Sequence, residues 1–214
     1  MPQRPRPATA RGEATRSKLL DAAEHEFGEN GFHAASVASI TRRAGVAQGT
    51  FYLYFASKED AMRELVAHMG HALRSELSVA IAGAAERMEV ERRGFEAFVR
   101  FALAHDNLYR VVMESQFVDE AVYRDYYRRL ADGYARGLGA AQQRGEVRAG
   151  DPEAQAWALM GIAHFLGLRA IWAGGEPDAA TMDAAFDVVR HGLHPASPTS
   201  ATLAGDRART ETEA

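Results

Sequence analysis

Apolar residues return every three to four positions along most of the 214-residue chain, and no window shows the two-residue alternation of a half-buried strand. The pattern predicts an all-α protein of about nine helices. Val37, Ile40 and Ala44 stand at i, i+3 and i+7 and give a short helix one apolar face. Gly45 follows where a left-handed residue would close that helix, and Val46 supplies the apolar plug that sets the angle to the next. A second short helix begins near Gln48, with Phe51 and Phe55 directed inward and Gln48, Thr50, Tyr52 and Tyr54 left on or beside its outward face. From Ser57 to about Ala85 one long helix keeps Met62, Leu65, Val66, Met69, Leu73, Leu77 and Ile81 on one side. Phe95, Phe98, Val99 and Ala102 mark another helix, and Leu108, Val111 and Val112 a shorter one. The stripe Val122, Tyr126, Leu130, Tyr134, Leu138 and Ala141 marks a long helix that ends near Gly145. Asp151-Pro152 then opens a helix with an acidic N-cap and Pro at N1, striped by Trp157, Gly161, His164, Phe165, Leu168 and Trp172. Met182, Ala185, Phe186, Val189 and Leu193 stripe the last one.

Two short helices hinged at a glycine and followed by an aromatic-hydroxyl cluster have the layout of a helix-turn-helix. A major-groove reader needs a narrow helix, side chains that match base edges, and hydroxyls or cations that fix its register on the backbone. Gln48 and Thr50 suit base edges, and Tyr52 suits a base or a thymine methyl. Tyr54 and Lys58 suit phosphate, as does Ser36 at the start of the preceding helix, while Arg42 and Arg43 are left for solvent or phosphate.

The segment GVAQGTFYLYFASKED resembles the recognition segment of the TetR/AcrR family of bacterial transcriptional regulators, and the likeness extends over roughly Gly12 to Gly70. Before it, TRSKLLDAAEHEFGENGFHAAS is similar to the family's first helix, with Leu19 or Leu20, Ala23 and Phe27 inward and Asn30-Gly31 at its end. After it, Ser57 is an N-cap with Asp60 at N3, close to a capping box that starts the fourth helix. The chain departs from the family at Ala47, where a capping Ser or Thr is common; the missing cap costs on the order of 1 kcal/mol. The resemblance implies DNA contacts at Ser36, Gln48, Thr50, Tyr52, Tyr54 and Lys58. It also implies a three-helix DNA-binding domain at 12–72 (motif at about 35–54), joined by a connecting helix to an effector-binding and dimerisation domain at 73–194. Residues 1–11 read as a disordered basic arm and 195–214 as a disordered tail.

Net charge is −4, which at first argues against a polyanionic partner, but the charge is unevenly placed. Through residue 64 there are nine Lys/Arg against eight Asp/Glu, so the acidic excess lies in the second part. Affinity for DNA depends on the few charges that touch phosphate. The absence of cysteine excludes disulfides, thiolate metal sites and thiol catalysis. No run of about eighteen uninterrupted apolar residues and no signal-peptide pattern is present, so a cytoplasmic protein with no membrane partner is expected. No glycine-rich phosphate loop, nucleophile elbow or paired acid and base suggests an enzyme, and no cofactor or metal is expected.

One DNA-binding head reads too few base pairs to be specific, so two heads on a two-fold dimer are expected to read a palindrome with half-sites roughly 34–36 Å apart. Small residues among the apolar ones of the last two helices favour close helix approach, and a four-helix dimer interface, as the resemblance implies, would use Trp157, Gly161, His164, Phe165, Leu168, Phe186 and Val189. An apolar effector pocket in the body would draw on Phe98, Phe101, Tyr109, Met113, Phe117, Tyr123, Tyr127 and Phe165, with Arg128 and Arg169 for an acidic group. The expected protein is a homodimeric repressor released from an operator in double-stranded DNA by a small hydrophobic effector, an acyl-coenzyme A (acyl-CoA) thioester being a candidate class. Two other readings stay open. His68 and His71, with Glu64 one turn earlier, have a spacing that suits a divalent-metal-responsive regulator. A helical protein-interaction dimer that does not bind DNA is the other.

Overall fold

The computed structural model describes residues 9–194, and among them every regular element is a helix. In chain order these are α1 (Ala10–Asn30), α2 (Val37–Ala44), α3 (Gln48–Tyr54), α4 (Lys58–Ile81), α5 (Arg87–Ala104), α6 (Asp106–Val118), α7 (Glu120–Gln143), α8 (Pro152–Ala173) and α9 (Ala179–Leu193). The expected arm lies outside the described residues up to residue 8, as does the whole expected tail. Ala10 and Arg11, assigned to the arm by composition, are helical. The Thr9 hydroxyl caps α1 by accepting from the Gly12 amide at 3.1 Å, a signal that an arginine- and proline-rich context obscures.

Local chemistry fixes the ends of the short helices. Ser36 and Ser39 exchange hydrogen bonds, each hydroxyl accepting the other's amide at 3.0 Å, so α2 begins on a reciprocal capping box. Gly45 closes it at φ 67°, in the left-handed region that a side chain would strain. At α4 the Ser57 hydroxyl accepts from the Asp60 amide, and the Asp60 carboxylate answers to the amide of Ala56, at 3.0 Å. Ala47 gives α3 no side-chain cap.

Leu19, Ala23, Phe27, Ile40, Phe51, Phe55, Met62 and Leu65 form a closed core for α1–α4, each at most 2% exposed. Burial of each such large side chain is worth about 1.5–3 kcal/mol, which offsets the missing cap on α3. That core runs without a break into the body through Leu73 on α4, Leu108, Val111 and Val112 on α6 and Tyr126 on α7. A second cluster, distal to the head, gathers Phe95, Leu138, Ala141, Ala156, Leu159, Val189 and Leu193 from α5, α7, α8 and α9.

α6 joins α4 in touching both parts. It packs across α1 and α4 on one side and against α7 on the other. Gly28 makes this possible, because a Cβ there would stand 2.5 Å from the Asn107 side chain. α8 is apolar on all sides; it packs against α5 and α7 and leaves Trp157, Phe165 and Trp172 exposed.

Candidate DNA interface and effector cavity

The outward face of α3 carries Gln48, Gly49, Tyr52 and Leu53, all exposed, with Thr50 and Tyr54 half-buried at its sides. Tyr52 stays open because only its ring edge meets Phe51, with centroids 5.6 Å apart, whereas Tyr54 leans on the head core. The reading of the sequence missed Leu53. At 69% exposure it is an apolar side chain offered to the same partner as Tyr52, and its place one turn after Gly49 is the signal that could have found it.

Two cations of the head, Lys58 and Arg43, are already engaged by partners within the chain. Lys58 was expected at phosphate, but its ammonium donates to the Phe32 and Ala35 carbonyls at 2.7 and 2.9 Å. It also lies 4.3 Å from the centre of the Phe32 ring. It therefore pins the α1–α2 connection against the start of α4. Arg43 bonds Glu26 and Glu29, both at 2.7 Å, and holds the Glu26 carboxyl below the usual carboxylate range. Arg42 stays exposed. The Ser36 hydroxyl, exposed at the start of α2, accepts the Ser39 amide and keeps its own proton for a further acceptor.

Behind the head, α4, α5, α6, α7 and α8 enclose a mainly apolar cavity of about 420 Å³, within the range of roughly 300–1,000 Å³ usual for small-molecule sites. Phe98, Tyr109, Met113 and Tyr127 line it as expected. The other expected lining residues do not. Phe101 is buried against His105, with ring centroids 4.5 Å apart, and Tyr123 stands behind Tyr127 at 4.9 Å. Phe117 and Phe165 are 77% and 68% exposed, and Arg128 and Arg169 are also exposed. The reason is helical phase: Tyr126, Tyr127, Leu130 and Tyr134 on α7, and Met160, Ala163 and His164 on α8, face inward, so Arg128, Phe165 and Arg169 fall on the outer faces of those helices.

Polar groups mark two ends of the cavity. At the end near the head, the Tyr109 hydroxyl and His164 Nδ1 are 2.6 Å apart with their rings stacked. Burial pushes the phenol up and the imidazole down, so both are neutral at neutral pH. At the distal end Arg87 Nε donates to Glu91 at 2.7 Å, and the Tyr134 hydroxyl donates to the other oxygen of Glu91. Burial first, then the Glu91 charge, lifts the Tyr134 phenol well above its ordinary value. Arg87 and Glu91 are i, i+4 neighbours on α5, and the fold brings them to Tyr134 of α7 inside the cavity.

The expected dimer residues also divide. Trp157 and Phe165 are exposed, and Gly161 has open space where a Cβ would stand. His164 belongs to the cavity, Leu168 packs partly into the head-side core, and Val189 is 2% exposed within the distal core. Phe186 packs on that core under the Arg92 guanidinium. The apolar stripe of α9 thus faces its own body and leaves Val188 bare. For the metal reading, Glu64 is engaged by Arg16, and among the described residues no three His, Asp or Glu side chains converge on a possible ion.

These features define a helix-turn-helix DNA-binding protein whose head is built directly onto a cavity-bearing helical body. A model of the tetR family of bacterial regulatory proteins matches residues 19–65. That segment is similar to the DNA-binding domain of this family. It is 47% identical over 57 residues to the uncharacterized HTH-type transcriptional regulator YdgC of Bacillus subtilis, a stretch covering 27% of this chain and 29% of that protein. It is 48% identical over 48 residues to the fatty acid metabolism regulator protein of the same organism, covering 22% of this chain and 25% of the relative. The matched segments thus span less than a third of these relatives' own lengths. Over the whole fold, the structure of the regulator FadR from Bacillus subtilis in complex with stearoyl-CoA is similar, with a TM-score of 0.72 at 22% identity, covering 84% of this chain and 100% of that one.

Proposed function

We propose that this protein is a homodimeric transcriptional repressor that holds a palindromic operator with two α3 helices and lets go when a small apolar effector fills the body cavity. The observation that supports this best is the double attachment of α6. Tyr109, Val112 and Met113 on α6 line the cavity. On its other side the Glu114 carboxylate accepts from the Phe32 amide at 2.8 Å, and Asn107 packs on Gly28. Just beyond the helix, Asp119 accepts from Arg63 of α4 at 2.7 Å. A ligand that shifts α6 therefore shifts the head as a body, and the spacing of two heads is what DNA reads. The ligand works to the extent that it prefers the shifted arrangement.

The bare apolar face of Trp157, Phe165 and Trp172 on α8, with Val188 on α9, supports dimerisation, since so much large apolar surface on one side marks a binding face. The class of effector is supported by the fatty acid regulators among the relatives and by the stearoyl-CoA bound to FadR; an acyl thioester is the class assigned here. The protein acts where its operator lies, in the cytoplasm.

Fluorescence anisotropy on DNA from the gene's own upstream region, against scrambled DNA, tests this reading. Specific binding that dodecanoyl-CoA abolishes is the expected result. Binding that no acyl thioester or free acid disturbs overturns the effector assignment. Failure to bind any candidate operator, at low salt as well as high, favours the protein-interaction reading instead.

A further inference from the structure

The lining of the cavity holds three arginines, Arg74, Arg87 and Arg129, against one carboxylate, Glu91. Two of the three are accounted for. Arg87 and Glu91 neutralise each other in a buried pair, and Arg129 is tied to Asp125 at 2.6 Å. Arg74 makes no hydrogen bond and no ion pair among the described residues. Its guanidinium folds back along α4 into the space left by Gly70, with one nitrogen 3.0 Å from where a Cβ would stand and the Tyr126 ring on the other side. Arg74 and Ser78, one turn apart, form the α4 rim, while Leu73, Leu77 and Ile81 form the wall below. Across the opening, α7 presents Arg129 and Gly133.

An uncompensated guanidinium beside an apolar, half-enclosed space attracts an anion more strongly than one in bulk water, because less solvent screens it. We infer that Arg74 reads the charge of the effector, so that the cavity takes an amphipathic anion: an apolar chain inside the bundle and a carboxylate or phosphate at the α4–α7 rim. This inference rests on the effector reading of the cavity. The lining of α7 from Tyr126 to Gly137 extends about 16 Å along its axis. A twelve-carbon chain, about 13 Å when extended at the backbone-like advance per bond, fits within that length.

Isothermal titration of the full chain with dodecanoate, dodecanoyl-CoA and 1-dodecanol, in wild type, Arg74→Gln and Arg74→Lys, tests it. Wild type is expected to bind at least one anion about tenfold or more tighter than the alcohol. Arg74→Gln is expected to remove that preference, with circular dichroism showing that the variant folds; Arg74→Lys is expected to restore part of it. Preference for dodecanoate assigns the anion as carboxylate, and preference for dodecanoyl-CoA alone assigns it as phosphate. Alcohol binding with no anion preference, or a preference that survives Arg74→Gln, overturns the role of Arg74 and leaves the effector cavity standing. If none of the three ligands binds wild type, the cavity reading falls with it.

Discussion

The head and the distal body are built from the same kind of helix, yet they spend their side chains differently. In the head, Phe27, Phe51 and Phe55 fill the core at 1% exposure or less, α2 begins on a reciprocal capping box, and Lys58 closes the turn between α1 and α2. In the body, α4 to α8 stand apart around a cavity of about 420 Å³, with a buried ion pair and a half-buried tyrosine at one end. A close-packed head moves as a unit, while a body with a void has room for two arrangements. That contrast is what a ligand-operated switch requires: a rigid reader on a deformable support.

The sharpest way to break the contrast is to put a void in the head. Phe51→Ala is expected to cost about 3–5 kcal/mol, enough to abolish DNA binding and lower the midpoint of thermal unfolding, read by circular dichroism and anisotropy. A comparable loss is expected at the buried pair, with a different signature. Glu91→Leu alone strands the Arg87 charge and is expected to cost about 3–5 kcal/mol, whereas Arg87→Met with Glu91→Leu is expected to be nearly neutral or stabilising. Chemical denaturation of both variants decides this; equal losses would mean that the pair acts through packing rather than charge.

Lys58→Ala comes next. Losing charge-assisted bonds to the Phe32 and Ala35 carbonyls is expected to cost about 1.5–3 kcal/mol. The loss should appear in stability without DNA, which a residue serving only phosphate would not show. Ala47→Ser is expected to raise stability by about 0.5–1 kcal/mol by supplying the cap that α3 lacks. The smallest effect concerns pH. Burial holds the His164 imidazole below its ordinary value of about 6.5, so the folded chain binds fewer protons there than the unfolded one. Its contribution to stability is complete above about pH 6.5 and is lost as pH falls through the lowered folded value. Wild type is therefore expected to lose more stability than His164→Gln between about pH 6.5 and 5, measured by denaturant melts.

The comparison also separates what was legible from what was not. Helix existence was legible throughout because a 3.6-residue apolar repeat has one reading. The α2–α3 turn was legible because Gly45, Val46 and the inward phenylalanines are neighbours in sequence. The internal bonds of Lys58 were not legible because its partners, Phe32 and Ala35, lie more than twenty residues earlier. Phe165 and Phe117 were misread for a related reason: periodicity finds the apolar face of a helix, but α8 is apolar on every face, and the end of α6 carries a phenylalanine on its open side.

By itself, then, the sequence determined the all-helical class, the helix-turn-helix with its Gly45 turn, the Ser57 cap and the exposure of Gln48 and Tyr52, since each depends on residues within a turn or two of one another. The tertiary structure decided that α6 joins cavity to head, that Arg87, Glu91 and Tyr134 meet inside, that α9 turns its apolar stripe inward, and that Arg74 stands uncompensated at the rim. Those facts depend on how helices distant in sequence are phased against one another, and a local repeat carries no information about the partner that each face will meet.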